Sequence, residues 1–275
     1  MRRFAFPGRS FVRAHRRPET GAAAGGCAPP SARAPGRKSR LSLAVALLGG
    51  LLLQAQEQPP LVRSKFTFGR IRFTTAGFGW FGRRGQGPPW SHDYPRGGQH
   101  LMKIMSEVTK LDVNLDGHIV SFESDEPFEF PIAYLCEPGA MDLTEKEVVN
   151  MREYLLRGGF LIVDDFRGER ELDNFRNQVR MVFPDRQLEE LPRSHPVFNC
   201  FYDISNLFPQ PPYSQYLVPR YLGISDDHGR LMMVVNYNND ISEYWEWSDS
   251  PFMPIEQTND AYKYGVNYVM YALTH

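Results

Sequence analysis

The stretch that decides the fold is residues 154–165, Tyr-Leu-Leu-Arg-Gly-Gly-Phe-Leu-Ile-Val-Asp-Asp, which joins the end of a helix to a buried strand. Upstream, Thr144 stands three positions before Glu147, the spacing of a capping box, in which both side chains accept backbone N–H groups at a helix start. Gly158 and Gly159 end this helix, since glycine adopts the left-handed cap easily. Residues 160–163 then form an apolar run that ends in two aspartates. The stretch predicts a helix, a tight turn and a strand covered on both faces.

Strands and helices alternate on both sides of this stretch. Residues 66–73, 118–122, 131–136 and 231–235 are predicted strands, and helical spacing of apolar residues predicts further helices at 101–108, 172–182 and 266–273. Strands that alternate with helices indicate a parallel sheet with helices on both faces. The sequence therefore predicts a single α/β domain over residues 64–275, folded as a three-layer sandwich around a mostly parallel sheet.

An apolar segment near the N-terminus predicts export. The run 41–53 (LSLAVALLGGLLL) follows basic residues and precedes Ala55, the arrangement of a secretory signal peptide. It is shorter than the roughly 20 residues that span a bilayer comfortably. We therefore expect residues 1–40 to form a basic, disordered leader and residues 41–55 to form a signal-peptide core and cleavage region. The mature protein is then periplasmic or secreted, and the alternative is an uncleaved membrane anchor formed by residues 41–55.

Charge is divided unevenly along the chain. Residues 1–55 carry nine arginines and Lys38 against Glu19, whereas the rest of the chain has a net charge of about −10. A nucleic-acid surface needs clustered lysines and arginines that displace counterions from the phosphates. The acidic body therefore argues against a nucleic-acid partner. A membrane is expected to be a partner only through an uncleaved leader.

Two of the three cysteines lie in the predicted domain. Cys136 and Cys200 can form one disulfide in an oxidising compartment. Cys136 ends a predicted central strand, however, where free cysteines are often simply buried, so we favour free thiols. No HExxH, paired CxxC or EF-hand pattern is present, and we expect no metal ion and no cofactor.

Several phrases of the domain resemble the domain-of-unknown-function 4159 family. The central ones are YLLRGGFL at 154–161 and VDDF at 163–166, and the others are WSHDYPR at 90–96, LPRSHPVF at 191–198, FYDI at 201–204 and GVNYVMYALT at 265–274. They cover nearly all of residues 66–275 in the expected order. The family is found largely in bacterial exported or membrane-associated proteins, and its activity is not established. The resemblance implies a flavodoxin-like fold, similar to that of the class I glutamine amidotransferases.

The same resemblance identifies a chemical group that this chain lacks. Amidotransferases of that fold carry a nucleophilic cysteine, flanked by glycines, at the sharp turn after a central strand. The equivalent turn here follows residues 160–163 and holds Asp164 and Asp165. Cys136 ends the preceding strand and has no glycine on either side. We therefore expect no cysteine-dependent glutaminase activity, and we lean towards a protein that is not an enzyme.

Candidate ligand-binding residues follow three predicted strands at their carboxyl ends, where open parallel sheets bind ligands. They are Trp90, His92, Asp93, Tyr94 and Arg96 after the first strand, Glu137 after the strand that ends at Cys136, and Asp164, Asp165 and Arg167 after the next one. We expect these groups to share one concave surface. Packing offers another interpretation, in which the aromatic residues cover the sheet and one aspartate caps the next helix.

Two functions remain open at this point. The first is an exported ligand-binding or assembly module on a degenerate amidotransferase-like fold, with an unidentified small molecule or protein as its ligand. The second is a hydrolase-type enzyme that uses Asp164, Asp165 and His195 on a carbohydrate-like or peptide substrate, because adjacent acids can serve as base or nucleophile. His195 lies in a later loop and is expected at the rim of the cleft. The missing cysteine nucleophile favours the first function.

Overall fold

The computed structural model describes residues 61, 63–75, 87–205 and 210–275. The predicted leader and signal peptide, residues 1–55, lie outside the described residues. Within them, the strands are β1 (Phe66–Ile71), β2 (Val113–Val120), β3 (Ile132–Cys136), β4 (Phe160–Phe166), β5 (Glu189–Glu190), β6 (Arg220–Ser225) and β7 (Leu231–Tyr237). The helices are α1 (Arg96–Val108), α2 (Glu145–Leu156), α3 (Gly168–Val182), α4 (Ile241–Glu246) and α5 (Ile255–Thr274).

The seven strands form one sheet in the order β2-β1-β3-β4-β7-β6-β5. Strands β1, β2, β3, β4 and β7 run parallel to one another, whereas β6 is antiparallel to β7 and β5 is antiparallel to β6. The predicted α/β class and mostly parallel sheet are confirmed. The antiparallel edge was not predicted from the sequence, because β5 is only two residues long and β6 contains a glycine.

Helices cover both faces of the sheet, so that it separates two apolar cores. Alternate residues of each central strand face opposite cores, as the two-residue period of a strand requires. On β3, Ile132 and Tyr134 face the core that α1, α4 and α5 cover, while Ala133 and Leu135 face the core that α2 and α3 cover. All five residues of β3 are buried, which explains its continuous apolar sequence.

The predicted capping box forms at the start of α2. Thr144 Oγ1 accepts the backbone N–H of Glu147 at 3.2 Å, and Glu147 Oε2 accepts the backbone N–H of Thr144 at 3.0 Å. The second carboxylate oxygen of Glu147 accepts the N–H of Thr74 at 3.2 Å, which fastens the chain just after β1. Gly158, with a φ of 105°, follows the end of the helix in the left-handed region.

Strand β4 extends past its predicted end. The sequence places Asp164 and Asp165 in a turn, whereas the strand continues through them to Phe166. The register between β4 and β7 shifts there, and Asp165 has a φ of 55°, which together describe a bulge. The bulge interrupts the alternation of side chains. As a result Asp164 and Asp165 both contact β3 on one face, the first through the Tyr134 hydroxyl and the second 4.0 Å from Cys136 Sγ.

Among the described residues, no helix combines the length and the hydrophobicity of a membrane span.

Candidate functional site

A cleft of about 510 Å³ lies between the segment that precedes α1 and the segment around α4. The segment before α1 follows β1, and α4 follows the carboxyl end of β7, so the cleft opens at the edge where the sequence predicts a site. Its polar lining includes His92, Asp93, Tyr213, Asp240, Glu243 and Glu246.

The His92 ring contacts three acidic residues, which come from three separate parts of the chain. Its Nδ1 lies 2.6 Å from Asp165 Oδ2 and 3.7 Å from Glu137 Oε1, and its Nε2 lies 3.7 Å from Asp93 Oδ1. Carboxylate oxygens accept hydrogen bonds, so we assign Nδ1 as the donor of the hydrogen bond to Asp165 Oδ2. Burial opposes protonation of the ring, but the carboxylates of Asp93, Asp240 and Glu137 outweigh it and raise the pKa of His92. The expected convergence of the groups after β1, β3 and β4 is therefore observed.

A buried arginine fixes the backbone of His92. Arg70, on β1, is 4% exposed, and its Nη1 donates to the carbonyl oxygen of His92 at 3.1 Å and to that of Trp90 at 3.5 Å. Its guanidinium also lies 4.5 Å from the ring centre of Tyr134. Arg70 was not predicted to belong to the site, because a charged residue inside a predicted strand ordinarily points to solvent. Here the buried Arg70 guanidinium places a positive charge next to the backbone of His92.

Asp93 is buried between the start of α1 and α4. Its Oδ2 accepts the hydroxyl proton of Ser242, and its backbone oxygen accepts the N–H of Gly97 at 2.8 Å. The Asp93 side chain is completely buried, and its Oδ1 has no hydrogen-bond donor among the described residues. This oxygen belongs to a residue of the cleft lining. A buried acceptor without a donor is costly unless a ligand or water supplies one.

Asp164 holds α4 in place. Its Oδ2 accepts the Tyr134 hydroxyl at 2.6 Å and the backbone N–H groups of Ile241 and Ser242 at 2.9 and 3.1 Å. These N–H groups belong to the first turn of α4, where a negative charge is favourable. The helix-capping interpretation thus describes Asp164, although the helix is α4 and not the next helix in sequence. Burial raises the pKa of Asp164 to about 6 in spite of these hydrogen bonds.

Helix α4 adds acidic residues that the sequence analysis did not select. Asp240 caps the helix and accepts the N–H of Glu243 at 3.0 Å. Burial, followed by the charges of Asp165 and Asp93, raises the pKa of Asp240 well above its ordinary value. Burial and the neighbouring Asp93 raise the pKa of Glu246 to about 7. The three-residue spacing of these acids is visible in the sequence, but only the pairing of β7 with β4 brings them to the cleft.

Left-handed backbone is concentrated at this site. Among the described residues, the non-glycine positions with positive φ are Asp93 at 60°, Glu137 at 47°, Asp165 at 55° and Asn238 at 59°. Each costs roughly 1–2 kcal/mol in an ordinary residue and somewhat less in Asp or Asn. Strain of this kind persists where the surrounding structure enforces it, which is most often at binding or catalytic sites.

The two aromatic candidates before α1 differ in position. Tyr94 lines the cleft, and its ring centre lies 5.8 Å from the Arg70 guanidinium. Trp90 packs instead against the core on the side of α2 and α3, as the packing interpretation expects.

The two arginine candidates contact aromatic residues of the cleft. Arg96 forms an ion pair with Asp249, and its guanidinium lies 4.9 Å from the ring centre of Trp247. The Arg167 guanidinium lies 3.9 Å from the ring centre of Tyr213. Both aromatic rings line the cleft, so these arginines support its walls.

His195 lies near the opposite end of the strands from the cleft, and the expectation that it reaches the cleft is wrong. Its ring centre is 5.7 Å from that of Tyr271, and its Nδ1 accepts the N–H of Val197 at 3.2 Å. The Tyr271 hydroxyl accepts the N–H of Leu231, the first residue of β7, at 3.1 Å. The cleft follows the last residues of that strand. His195 is therefore separated from Asp164 and Asp165 because its loop packs on the end of α5.

Both cysteines of the domain are free, as predicted. Cys136 is fully buried, and burial together with the charge of Asp165 raises the pKa of its thiol well above the ordinary value. The thiolate is the nucleophilic form of cysteine. A protonated, inaccessible thiol is unsuited to glutamine hydrolysis.

The site brings together side chains that can coordinate a cation. Ligand atoms of His92, Asp93, Cys136 and Asp165 lie within 4.8 Å of one another, and so do those of Asp93, Glu243 and Glu246. The sequence patterns predict no metal site, because these residues are spread over four separate parts of the chain. The geometry makes cation binding chemically feasible.

A family model described as a domain of unknown function (DUF4159) matches residues 72–273 of the chain, a range that includes the whole cleft. A comparison with curated proteins found no match.

Proposed function

The chain belongs to the family of this domain of unknown function (DUF4159), and on that premise we propose that it is an exported binding module whose cleft takes a positively charged ligand. The observation that carries the proposal is the convergence of acidic side chains on one cleft, which Asp93, Asp240, Glu243 and Glu246 line together.

Electrostatics supports a cationic ligand. Burial, and after it the charges of the neighbouring acids, raises the pKa values of Asp240 and Glu246. Arg70 donates to backbone carbonyls, and Arg96 pairs with Asp249, outside the cleft lining. His92 is the one basic residue of the described cleft lining and faces four carboxyl groups, and a carboxylate in the cleft without a counter-charge costs several kcal/mol. A bound cation would remove that cost.

The aromatic residues of the cleft support the same proposal. Tyr213, Trp247 and Phe252 line the cleft, and aromatic ring faces attract cations through their quadrupoles, as the guanidinium groups of Arg167 beside Tyr213 and Arg96 beside Trp247 already do. The phenol hydroxyl of Tyr213 is buried and has no hydrogen-bond partner among the described residues. It provides a further oxygen for a ligand.

The strand order supports a flavodoxin-like fold similar to that of the class I glutamine amidotransferases. Numbered along the chain, the parallel strands β2-β1-β3-β4-β7 follow the order 2-1-3-4-5. In that fold, ligands bind beyond the carboxyl ends of the strands where the order reverses, between β1 and β3. His92 follows β1 and Glu137 follows β3, so the proposed site lies at this reversal.

A hydrolase is the second candidate, and the contact between His92 and Asp165 favours it. An imidazole whose Nδ1 is held by a carboxylate presents Nε2 as a general base, as in many hydrolytic sites. His92 would take the role that the sequence analysis gave to His195. Its substrate would be a peptide or carbohydrate-like molecule with a cationic group near the acids of α4.

Calorimetric titration of the full chain tests the binding proposal, with Mn²⁺, spermidine and a lysine-containing tripeptide as cations and citrate as an anion. We expect at least one cation to bind, and Glu246→Gln to weaken it about tenfold. His195→Ala and Glu256→Gln, which lie outside the cleft, should leave the affinity unchanged. Failure of every cation to bind, or preferential binding of citrate, would overturn the proposal.

The hydrolase candidate makes a separate prediction. Incubation with peptide and oligosaccharide libraries, followed by mass spectrometry, should reveal cleavage products that disappear in His92→Gln and persist in His195→Ala. Cation binding without any cleavage supports the binding module instead.

Export is proposed from the apolar run at 41–53 and the small residue that follows it. Terminal sequencing of the native protein should find Gln56 as the first residue, in material recovered outside the cytoplasm. An intact Met1 in soluble cytosolic protein would contradict export.

A further inference from the structure

We propose that the cation is a divalent metal ion of the Mn²⁺ class, held by Asp93, Glu243 and Glu246 with Nε2 of His92 as the nitrogen ligand. This inference rests on the proposed function and makes it specific. It assigns Asp165 to a positioning role, since that residue contacts His92 through the other ring nitrogen.

The carboxylates have suitable separations. One ligand atom from each of Asp93, Glu243 and Glu246 lies within 4.8 Å of the others. Metal–oxygen bonds of about 2.0–2.2 Å place two ligand atoms up to roughly 4.4 Å apart, so small side-chain rotations complete the site. Nε2 of His92 lies 3.7 Å from Asp93 Oδ1.

A second observation concerns the hydrogen bonding of the Asp93 carboxylate. Asp93 lines the cleft, and its Oδ1 is buried and has no hydrogen-bond donor among the described residues. Oδ2 of the same carboxylate is held by Ser242, so the side chain is fixed with its other oxygen towards His92 Nε2. A metal ion between these two atoms would satisfy the buried oxygen.

The contact of His92 with Asp165 has the arrangement found around metal-bound histidines. Such a histidine commonly donates its second N–H to a carboxylate, which fixes its tautomer and orientation. Nδ1 of His92 lies 2.6 Å from Asp165 Oδ2, leaving Nε2 for the metal. The alternative set of ligands is His92, Asp93, Cys136 and Asp165. It fits less well, because a metal bound to Asp165 or to Nδ1 of His92 would displace the hydrogen bond between these two residues.

The donor types select the class of metal. Carboxylate oxygens suit Mg²⁺, Ca²⁺ and Mn²⁺, whereas an imidazole nitrogen favours transition metals. A mainly carboxylate set with one imidazole therefore suits Mn²⁺ better than Ca²⁺ or Mg²⁺. Tyr213 also lines the cleft, and its buried hydroxyl, which has no hydrogen-bond partner among the described residues, can contact a water or substrate atom on the metal.

Electron paramagnetic resonance of the full chain titrated with Mn²⁺ tests the site. We expect one bound Mn²⁺ per chain, with a ¹⁴N coupling in the pulsed spectrum. Asp93→Asn and Glu246→Gln should each weaken binding at least about tenfold. Asparagine has nearly the shape of aspartate and tolerates the left-handed backbone of Asp93. Glu246 is only partly buried, so Glu246→Gln should not disturb the core. Weaker binding in both variants is therefore unlike the result of misfolding. Asp173→Asn and Glu256→Gln are exposed controls expected to bind as the unchanged chain does.

His92 and Asp165 are tested by the nitrogen coupling. His92→Gln should abolish it while some Mn²⁺ binding remains. Asp165→Asn retains an oxygen that accepts from Nδ1 and should keep the coupling, whereas Asp165→Ala should lose it; a purely structural role would not affect the coupling in a folded variant. If the coupling is absent from the unchanged chain, the assignment of His92 is wrong.

The outcomes separate this inference from the proposed function. Spermidine or tripeptide binding without stoichiometric Mn²⁺ binding would overturn the metal site and leave the cationic cleft standing. Mn²⁺ binding that is unaffected by both Asp93→Asn and Glu246→Gln would also overturn the metal site. Absence of binding by Mn²⁺ and by every organic cation would overturn both.

Discussion

Tyr134→Phe tests how strongly the buried Asp164 depends on one hydroxyl. Tyr134 is fully buried, and its hydroxyl donates to Asp164 Oδ2 at 2.6 Å. Phenylalanine keeps the ring, so the change removes a hydrogen bond with little change in packing. Hydrogen bonds to charged groups contribute about 1.5–3 kcal/mol. Asp164 keeps the N–H groups of Ile241 and Ser242, and we therefore expect the free energy of unfolding to fall by about 2 kcal/mol at pH 8.

The size of this loss should depend on pH. Burial raises the pKa of Asp164 from 3.8 to about 6, so the unchanged protein loses stability as pH rises through that window. The Tyr134 hydroxyl lowers the pKa, and its removal raises the pKa further. The variant is therefore destabilised most above pH 6, where Asp164 is ionised in the unchanged protein. At about pH 4.5, where Asp164 is protonated in both folded proteins, the loss should be smaller.

Urea denaturation at the two pH values measures this difference, and Tyr154→Phe is the matched control. Tyr154 is also buried, but its hydroxyl donates to a neutral acceptor, the carbonyl oxygen of Phe160, at 3.3 Å. We expect the control to lose about 0.5–1.5 kcal/mol at both pH values. An equal loss for Tyr134→Phe at pH 4.5 and pH 8 would refute the assignment of the charged hydrogen bond to Asp164.

Two further predictions concern stability. Thr144→Ala removes the capping acceptor of α2 and should lower the free energy of unfolding by about 1 kcal/mol, measured by urea denaturation; an unchanged midpoint would mean that the cap contributes little. Gly265→Ala adds a methyl group 2.7 Å from both Leu101 Cδ1 and Trp245 Cζ2, and overpacking should lower the free energy of unfolding by about 1–3 kcal/mol; a rise in melting temperature would show that the core accommodates it.

Local chemistry explains why much of the fold could be predicted. The cap of α2 depends on Thr144 and Glu147, three positions apart, and the end of that helix depends on adjacent glycines. The apolar run at 131–136 indicates a strand because it is covered on both faces. Each of these features is decided within one turn or one strand, so the residues are sufficient evidence. The parallel sheet follows from the alternation of such elements.

The elements that were missed or misplaced depend on distant contacts. Strand β4 continues through Asp164 and Asp165 because its bulge lets both carboxylates reach groups on β3, His92 and α4. Polar residues at a strand end otherwise favour a turn. Predictions from local sequence fail most often at functional sites, where distant contacts determine the backbone. Strand β6 is likewise stabilised through pairing with β7 and β5.

The residues of the candidate site also fall into these two groups, those predicted from the sequence and those that depend on distant contacts. The sequence by itself identified His92, Asp93, Glu137 and Asp165, because parallel strands place their carboxyl ends at one edge whatever their order. The contribution of α4, and the exclusion of His195, were decided only by the tertiary structure. Asp93 and Ser242 are 149 positions apart, and they meet because β7 pairs with β4. That pairing depends on the packing of the whole sheet between its two cores, which no local pattern encodes.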